Sequence, residues 1–337
     1  MTIAVTTKTQ GIRIEKFGGP EVMQFGGFEL PALGPEQALV RLHAAGVNFV
    51  DIYLRKGIKY SKAALPYTPG LEGAGVVEQI GTGVTNVKVG DRVAFCFSVR
   101  SRINGSYAQA AIVPANELIP LPAEFSFEEG AAFPLQGMTA HYLLHEFHKL
   151  KAGETVLIHA AAGGMGRLLV QWAKHLKARV IGTVSSEEKA KIAKEAGTDE
   201  IIIYSKKDFV QESKRLTEGN GPDLIIDGVG KDTFTKNLDA VIDRGHIILS
   251  GSASGPAEPL SPNVLQNRSL TISGGSLFNF MNSREELMTR ANAVIQGMKE
   301  GWLKLKYDHI LPLKDVAKAH EMLENRQTTG KVILKCL

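Results

Sequence analysis

The sequence predicts an α/β protein in two parts: a mostly antiparallel β domain folded as a distorted barrel, and a doubly wound parallel sheet. Three observations carry this. Up to about residue 125 the chain runs in short alternating segments broken by Gly and Pro, the spacing of a small β domain. From Thr155 the texture changes to apolar runs alternating with helical periodicity, the pattern of parallel strands joined by crossover helices. Between the first such run, Val156-Leu157-Ile158, and its helix lies Ala161-Ala162-Gly163-Gly164-Met165-Gly166, whose small residues at 161, 163 and 166 have the spacing of a dinucleotide-binding turn.

In chain order, strands are expected at Ala38–Ala44, Gly75–Ile80, Arg92–Phe97 and Tyr107–Val113, with short helices at Asn48–Arg55 and Phe127–Ala131 and another at Gly137–Phe147, Pro134 breaking the first of that pair. The second part reads as strands at Thr155–His159, Arg179–Val184, Glu200–Tyr204, Leu224–Asp227, Gly245–Leu249 and Leu270–Ser273. Its helices fall at Gly164–Leu176, Glu187–Ala196, Phe209–Thr217 and Thr233–Val241. The tail reads helix, helix, strand at Arg284–Glu300, Leu313–Glu324 and Lys331–Leu334, and the last strand suits a return to the first domain.

With 337 residues, 44% hydrophobic and 22% charged, the chain is long enough for two cores. No apolar stretch reaches the length of a membrane span and the N-terminus lacks a signal-peptide pattern, so a cytoplasmic protein with no membrane partner is expected. Cys96 and Cys336 are too few for a disulfide framework or a thiolate zinc cage. The net charge of +4 suits a small anionic ligand, and basic residues spread along the chain argue against nucleic acid.

A dinucleotide in the turn would set its diphosphate against free N–H groups and the positive helix end at Gly164–Arg167. In such sheets the end of the second strand meets the adenosine ribose, and an acidic residue there selects NAD. Here the strand ends Gly182-Thr183-Val184-Ser185-Ser186 with no carboxylate. Ser185, Ser186 and Lys189, with the Tyr204 hydroxyl from the third strand, offer donors and charge to a 2′-phosphate, which favours NADPH. The competing reading makes Lys189 an ordinary solvated charge, and Glu187-Glu188 oppose a phosphate unless they turn away.

Gly153-Glu154, Leu157, Ala161-Ala162-Gly163-Gly164, Gly166, Gln171 and Lys174 together resemble the signature of the quinone oxidoreductases, the zeta-crystallin-like branch of the zinc-independent medium-chain dehydrogenases/reductases. The likeness extends from Gly46-Val47-Asn48-Phe49-Val50-Asp51 to the closing Gly330-Lys331-Val332-Ile333-Leu334. It implies a GroES-like catalytic domain at 1–130 and 274–337, a Rossmann NADPH-binding domain at 131–273, and a homodimer. Carried onto matching positions, it places Asn48 near the nicotinamide, Tyr142, Gly164 and Met165 at the diphosphate, and Thr183, Ser185, Lys189 and Tyr204 about the adenosine ribose and its phosphate. Ser250, Gly251, Ser252 and Ala253, Leu277, Phe278 and Arg326 fall where such enzymes line the nicotinamide and outer cleft. Two departures stand beside that region: Ser252 replaces an asparagine of bacterial relatives, and Gly274-Gly275 replaces a bulkier, basic stretch.

Zinc-dependent relatives carry a Cys ligand near position 48 and a His ligand near position 71, where this chain has Asn48 and Leu71, and no cysteine cluster occupies Phe95–Asn104. His141, His145 and His148 share one helix without an accompanying thiolate and read as surface or half-buried histidines. Without a Lewis acid the acceptor must already be electron-poor, as quinones and conjugated enones are. Asn48, Tyr53 and Arg55 are the candidate donors to the developing oxyanion; alternatively Tyr53 is a core aromatic and Arg55 a surface charge. The expected activity is reduction of quinones by NADPH, by hydride or by single electrons. The alternatives are reduction of an enone or enal C=C and, less favoured, a non-catalytic nucleotide- or RNA-binding role.

Overall fold

The computed structural model describes residues 7–58, 64–98, 104–307 and 309–337. The chain forms two compact units, Met1–Leu135 with Met281–Ala291 and Leu305–Leu337, and Gln136–Phe280 with Asn292–Lys304. These units group residues by contact, and the resemblance implies bounds at 130/131 and 273/274. A Cβ at Gly137 would lie 2.8 Å from Val294 Cγ1, and Trp302 stacks on His175 at 3.9 Å, so 292–304 belongs with the second unit.

In the first unit β1 (Thr7–Ile14) and β2 (Met23–Leu30) form an antiparallel ribbon. The long β3 (Gln37–Val47) pairs along most of its length with β4 (Glu72–Ile80). Register shifts at Leu39/Val40 and Leu42/Ala44 break this ladder, the local kinks with which a strand bends into a barrel. β5 (Arg92–Cys96) continues the sheet beyond β4; β6 (Ala110–Pro114) takes the other side of the first half of β3, and β7 (Leu118–Pro120) flanks β5. α1 (Phe49–Lys56) leaves β3 at Asn48, whose backbone N–H donates to Asp51 Oδ2 at 2.9 Å, and ends at Gly57 in the left-handed region with φ 67°. α2 (Phe127–Ala132) starts with a capping box, Ser126 Oγ accepting from Glu129 N–H and Glu129 Oε2 from Ser126 N–H. The β1–β2 ribbon was not foreseen, since the glycine pair in MQFGGFEL obscures its alternation.

α3 (Pro134–Tyr142) begins with Pro134, where a missing N–H costs no intrahelical bond, and passes into a π-helical turn at Leu143–Phe147. The second unit then alternates as the sequence predicts. β8 (Thr155–Ile158), α4 (Gly164–His175), β9 (Arg179–Val184), α5 (Glu187–Glu195), β10 (Glu200–Ile203), α6 (Phe209–Leu216), β11 (Leu224–Asp227), α7 (Phe234–Ala240), β12 (His246–Leu249), α8 (Asn263–Gln266) and β13 (Thr271–Gly274) follow in order. The strands lie parallel in the order β10-β9-β8-β11-β12-β13, the doubly wound arrangement. Registered neighbours Ile181, Leu157, Ile225 and Ile247 make one fully buried row across four strands.

Two signature residues hold this unit together. The Gln171 amide exchanges hydrogen bonds with the Lys304 backbone, accepting from its N–H at 2.8 Å and donating to its carbonyl at 3.2 Å. Lys174 Nζ donates to both Asp199 oxygens at 2.8 Å. We expect Gln171→Ala to lower unfolding free energy in urea by about 1–2 kcal/mol, the value of two partly exposed hydrogen bonds, without altering KM for a dinucleotide. A change in KM with unaltered stability would contradict this assignment.

The tail adds α9 (Arg284–Lys299), β14 (His309–Pro312), α10 (Val316–Glu324) and β15 (Val332–Lys335). β15 pairs antiparallel with the end of β3, Val332 opposite Val47, and parallel with β14, so the last strand rejoins the β unit as expected. No helix among the described residues is long and apolar enough to cross a membrane.

Candidate active site

The carboxyl ends of the parallel strands hold most of the predicted ligand residues. The turn after β8 is built for close approach. A Cβ on Gly166 would lie 2.3 Å from Ala160 O and 2.8 Å from Ala161 Cα, so only glycine lets α4 sit this near β8. Ala161 replaces the customary glycine because its own Cβ faces Gly182, where an added Cβ would be 2.8 Å away. A Cβ on Gly163 would stand 3.3 Å from Ala160 O, and one on Gly164 would touch only the end of the Gln136 side chain. The fold therefore tolerates a methyl at 163 far better than at 166. Gly163 is the N-cap of α4 and supplies no side-chain cap, leaving the first-turn N–H groups about Gly164 and Met165 for an anion. A dinucleotide diphosphate fits this cradle.

Beside it, Thr183 is turned inward. Tyr142 is buried as well, its ring stacked on Phe280 at 4.5 Å and edge-on to Phe147 at 5.6 Å. The Thr183 hydroxyl lies 2.9 Å from His159 Nδ1, His159 Nε2 lies 2.8 Å from Asn237 Oδ1, and Asn237 Nδ2 donates to Asp227 Oδ2 at 2.6 Å. Because the carboxylate only accepts, the Asn237 amide is fixed; Nε2 of His159 then carries the proton and Thr183 donates to Nδ1. Burial holds the His159 imidazole below its usual pKa, consistent with this neutral tautomer. Thr183 thus braces the strand ends and its donor is committed.

At the end of β9 both glutamates turn to other partners. Glu187 pairs with Lys206 at 2.6 Å, and a bond from the Ser186 hydroxyl lowers the pKa of Glu188. Lys189 has no ion-pair partner among the described residues, Ser185 is half-buried, and Tyr204 is 49% exposed at the end of β10. The loop after β12 folds onto that after β11: Ser250 Oγ donates to Asp227 O at 3.1 Å and Ala253 N–H to Gly228 O at 3.1 Å, with Gly251 and Ser252 between them. Leu277 and Phe278 are buried in a short turn after β13. Gly275 has a physical reason for its small size, because a Cβ there would be 2.7 Å from Phe147 Cζ in the aromatic cluster.

Asn48, Tyr53, Arg55 and Arg326 belong to the other unit. Arg326 is exposed just after α10, with φ 57°, and Tyr53 is half-buried on α1. Asn48 is 3% exposed; its Nδ2 donates to Glu72 Oε1 at 2.7 Å and its Oδ1 accepts from Lys331 Nζ at 2.5 Å. Lys331 also donates to Glu72 Oε1, while Glu72 Oε2 accepts from Leu135 N–H at 2.8 Å. Arg55 is fully buried rather than on the surface, and each of its nitrogens donates: Nε to Gly18 O at 3.1 Å, Nη1 to His320 Nδ1 at 3.1 Å, Nη2 to Glu324 Oε2 at 3.0 Å. The expectation that it donates to a substrate gives way to a bracing role, because its side chain points into a polar core.

That core continues. Since Arg55 only donates, His320 Nδ1 accepts, Nε2 carries the proton and faces Tyr107 Oη at 3.3 Å, and the Tyr107 hydroxyl donates to Asp51 Oδ2 at 2.9 Å. Burial and the adjacent Arg55 guanidinium push His320 down to about 3, and burial pushes Asp51 up to about 7 against the bonds from Asn48 and Tyr107. Glu72, Lys331, Asp51, Tyr107 and His320 were absent from the sequence-based site. The available signal was a charged residue set in an apolar run, Glu72 beside Leu71 and Lys331 before Val332-Ile333-Leu334.

Leu71 is fully buried beside this core, and residues 99–103 of the stretch where a zinc lobe would sit lie outside the described residues. His145 Nε2 accepts from Trp172 Nε1 at 3.1 Å, and His148 lies 3.0 Å from Glu154, which gives both histidines protein partners.

Comparison with known proteins agrees with both halves. Residues 34–123 match the alcohol dehydrogenase GroES-like domain family and 164–293 the zinc-binding dehydrogenase family. A 2-haloacrylate reductase of a Burkholderia species is 40% identical, over 95% of this chain and 97% of that one. A crystal structure of Pseudomonas syringae quinone oxidoreductase superposes with a TM-score of 0.92 at 41% identity, covering 97% and 99% of the two chains. The Escherichia coli quinone oxidoreductase complexed with NADPH does so at 0.90 and 36%, with the same coverage. By its residues, its two folds and its full-length similarity, the chain belongs to the quinone oxidoreductase family of the medium-chain dehydrogenases/reductases.

Proposed function

We propose that this protein is an NADPH-dependent oxidoreductase that reduces quinones. The observation that carries the cofactor choice is Lys189, a cation without an ion-pair partner among the described residues, beside Ser185 at a strand end that bears no carboxylate. The relative solved with NADPH is consistent with it. When bound, NADPH supplies the reducing equivalents. The chain's own contribution is positioning: the α4 N-terminus receives the diphosphate, Ser185, Lys189 and Tyr204 take the 2′-phosphate, and the loops after β12 and β13 border the nicotinamide. Arg326 is assigned to the outer cleft. Reduction of a quinone places negative charge on oxygen. Asn48 has a second amide N–H beyond the one given to Glu72, and we assign it to that oxygen or to the nicotinamide amide.

Lys189→Glu is expected to raise KM for NADPH about 30-fold, equivalent to roughly 2 kcal/mol of charge-assisted hydrogen bonding, while NADH turnover stays low. An unchanged KM for NADPH would remove Lys189 from the site. Side-by-side kinetics with 1,4-benzoquinone, 9,10-phenanthrenequinone and an α,β-unsaturated ketone test the acceptor. The kinship with a 2-haloacrylate reductase favours a second reading, reduction of an activated C=C, and quinone turnover below enone turnover would select it. A thermal shift unmoved by saturating NADPH would instead indicate a non-catalytic role. We further propose a cytoplasmic homodimer: β13 pairs on one side with β12, and no described strand covers its other edge. Sedimentation at micromolar concentration reads the oligomeric state directly.

A further inference from the structure

We propose that Lys331 is a positioning residue for the reaction, its buried ammonium fixing which end of the Asn48 amide is held and which N–H is left to act. The inference rests on the assignment of Asn48 above and assigns Lys331 a role that its place just before β15 does not suggest.

A lysine only donates and a carboxylate oxygen, ionised, only accepts. Asn48 lies between one of each: Oδ1 takes the bond from Lys331 Nζ, and Nδ2 gives a bond to Glu72 Oε1. The reverse orientation would set Nδ2 against the ammonium and Oδ1 against the carboxylate, two repulsive contacts at once. The amide is therefore locked, with its remaining N–H direction set by Lys331 rather than by packing. A cation on Oδ1 also draws electron density from the amide and strengthens the remaining N–H as a donor.

The backbone is shaped around this contact. Continuing the antiparallel register of Val332 with Val47 sets Lys331 opposite Asn48, and Glu72 pairs with Gly46 on the other side of β3. A Cβ at Gly46 would fall 2.6 Å from Glu72 Oε1 and 2.8 Å from Lys331 Cε, so the glycine leaves the space through which ammonium and carboxylate meet. Lys331 and Asn48 are both 3% exposed and Glu72 is fully buried, hence the arrangement is shielded from water and dependent on all three partners.

The test is a pair of variants assayed with NADPH and 1,4-benzoquinone. Lys331→Met keeps the stem and removes the charge, and kcat is expected to fall about 100-fold, the usual effect of losing one preorganised electrostatic contact, with Kd for NADPH by fluorescence within about threefold of the parent. Lys331→Met with Glu72→Gln removes both charges. In that double variant the oxygen of the introduced glutamine can accept from Leu135 N–H while its amide donates to Asn48 Oδ1, which keeps both of those bonds and removes the unpaired charge by turning Asn48 around, its NH2 then facing the methionine. Tm should then recover while kcat stays low. Recovery of Tm and kcat together would show that Lys331 merely neutralises Glu72, and a single variant with kcat within threefold of the parent would overturn the proposal outright. If the single variant does not fold, the double variant decides alone. Lack of benzoquinone turnover by the parent would refute the functional reading instead, which separates the two failures.

Discussion

Gly166→Ala is expected to give the largest loss of function of any single methyl added to the glycine turn. The new Cβ would lie 2.3 Å from Ala160 O and 2.8 Å from Ala161 Cα, both main-chain atoms that cannot rotate away. Relief requires α4 to withdraw from β8 by roughly 1 Å, which in a packed interior costs about 1–3 kcal/mol or more. The same movement carries the first-turn N–H groups away from a diphosphate, and Kd for NADPH should rise at least about 100-fold. Gly163→Ala is the control: its Cβ would lie 3.3 Å from Ala160 O, and φ of −74° suits any residue. Its unfolding free energy should stay within about 0.5 kcal/mol of the parent while NADPH binding weakens, because the methyl occupies space meant for the ligand. Urea denaturation and fluorescence titration on both variants read this directly. Equal losses of stability in the two would contradict the division of labour between a glycine needed by the fold and one needed by the ligand.

The same turn indicates what a sequence can disclose. Spacing alone located it, since strand, turn and helix are contiguous and their periodicities are local. The compensation of Ala161 by Gly182 was hidden, because it depends on the register of β8 against β9, about twenty residues away along the chain. The parallel-sheet half was legible almost element by element for the same reason of locality. In the β unit the ribbon of β1 and β2 was lost to its glycines, and the polar core was lost to distance: Lys331 and Asn48 are 283 positions apart, and Tyr107 and His320 are 213. Arg55 read as a substrate donor or a surface charge because its partners lie far from it in the chain, Gly18 before β2 and His320 and Glu324 on α10. Residues that make chemistry possible through other residues leave a faint sequence trace, a charge where the pattern calls for an apolar side chain.

Asp51 is such a residue, and its replacement should stabilise the protein at alkaline pH. Its carboxyl is fully buried; Oδ2 accepts from Asn48 N–H and Tyr107 Oη, while Oδ1 has no hydrogen-bond partner among the described residues. Burial raises its pKa from 3.8 to about 7. Below pH 3.8 the group is protonated in both folded and unfolded chains and imposes no penalty. Between about pH 4 and 7 the unfolded chain releases the proton and the folded one keeps it, so stability falls as pH rises through that window and levels off above it. The span amounts to the order of 4 kcal/mol. In Asp51→Asn the amide oxygen can accept both bonds that Oδ2 receives, and the NH2 takes the place of Oδ1 at a burial cost of about 1 kcal/mol. The variant should therefore exceed the parent at pH 8 by about 3 kcal/mol and lose that advantage near pH 4. Urea denaturation at pH 4.5, 6 and 8 gives the slope for each protein. Parallel slopes would mean that Asp51 keeps the same proton affinity on unfolding, and that the charge beneath Asn48 is held at no cost to the fold.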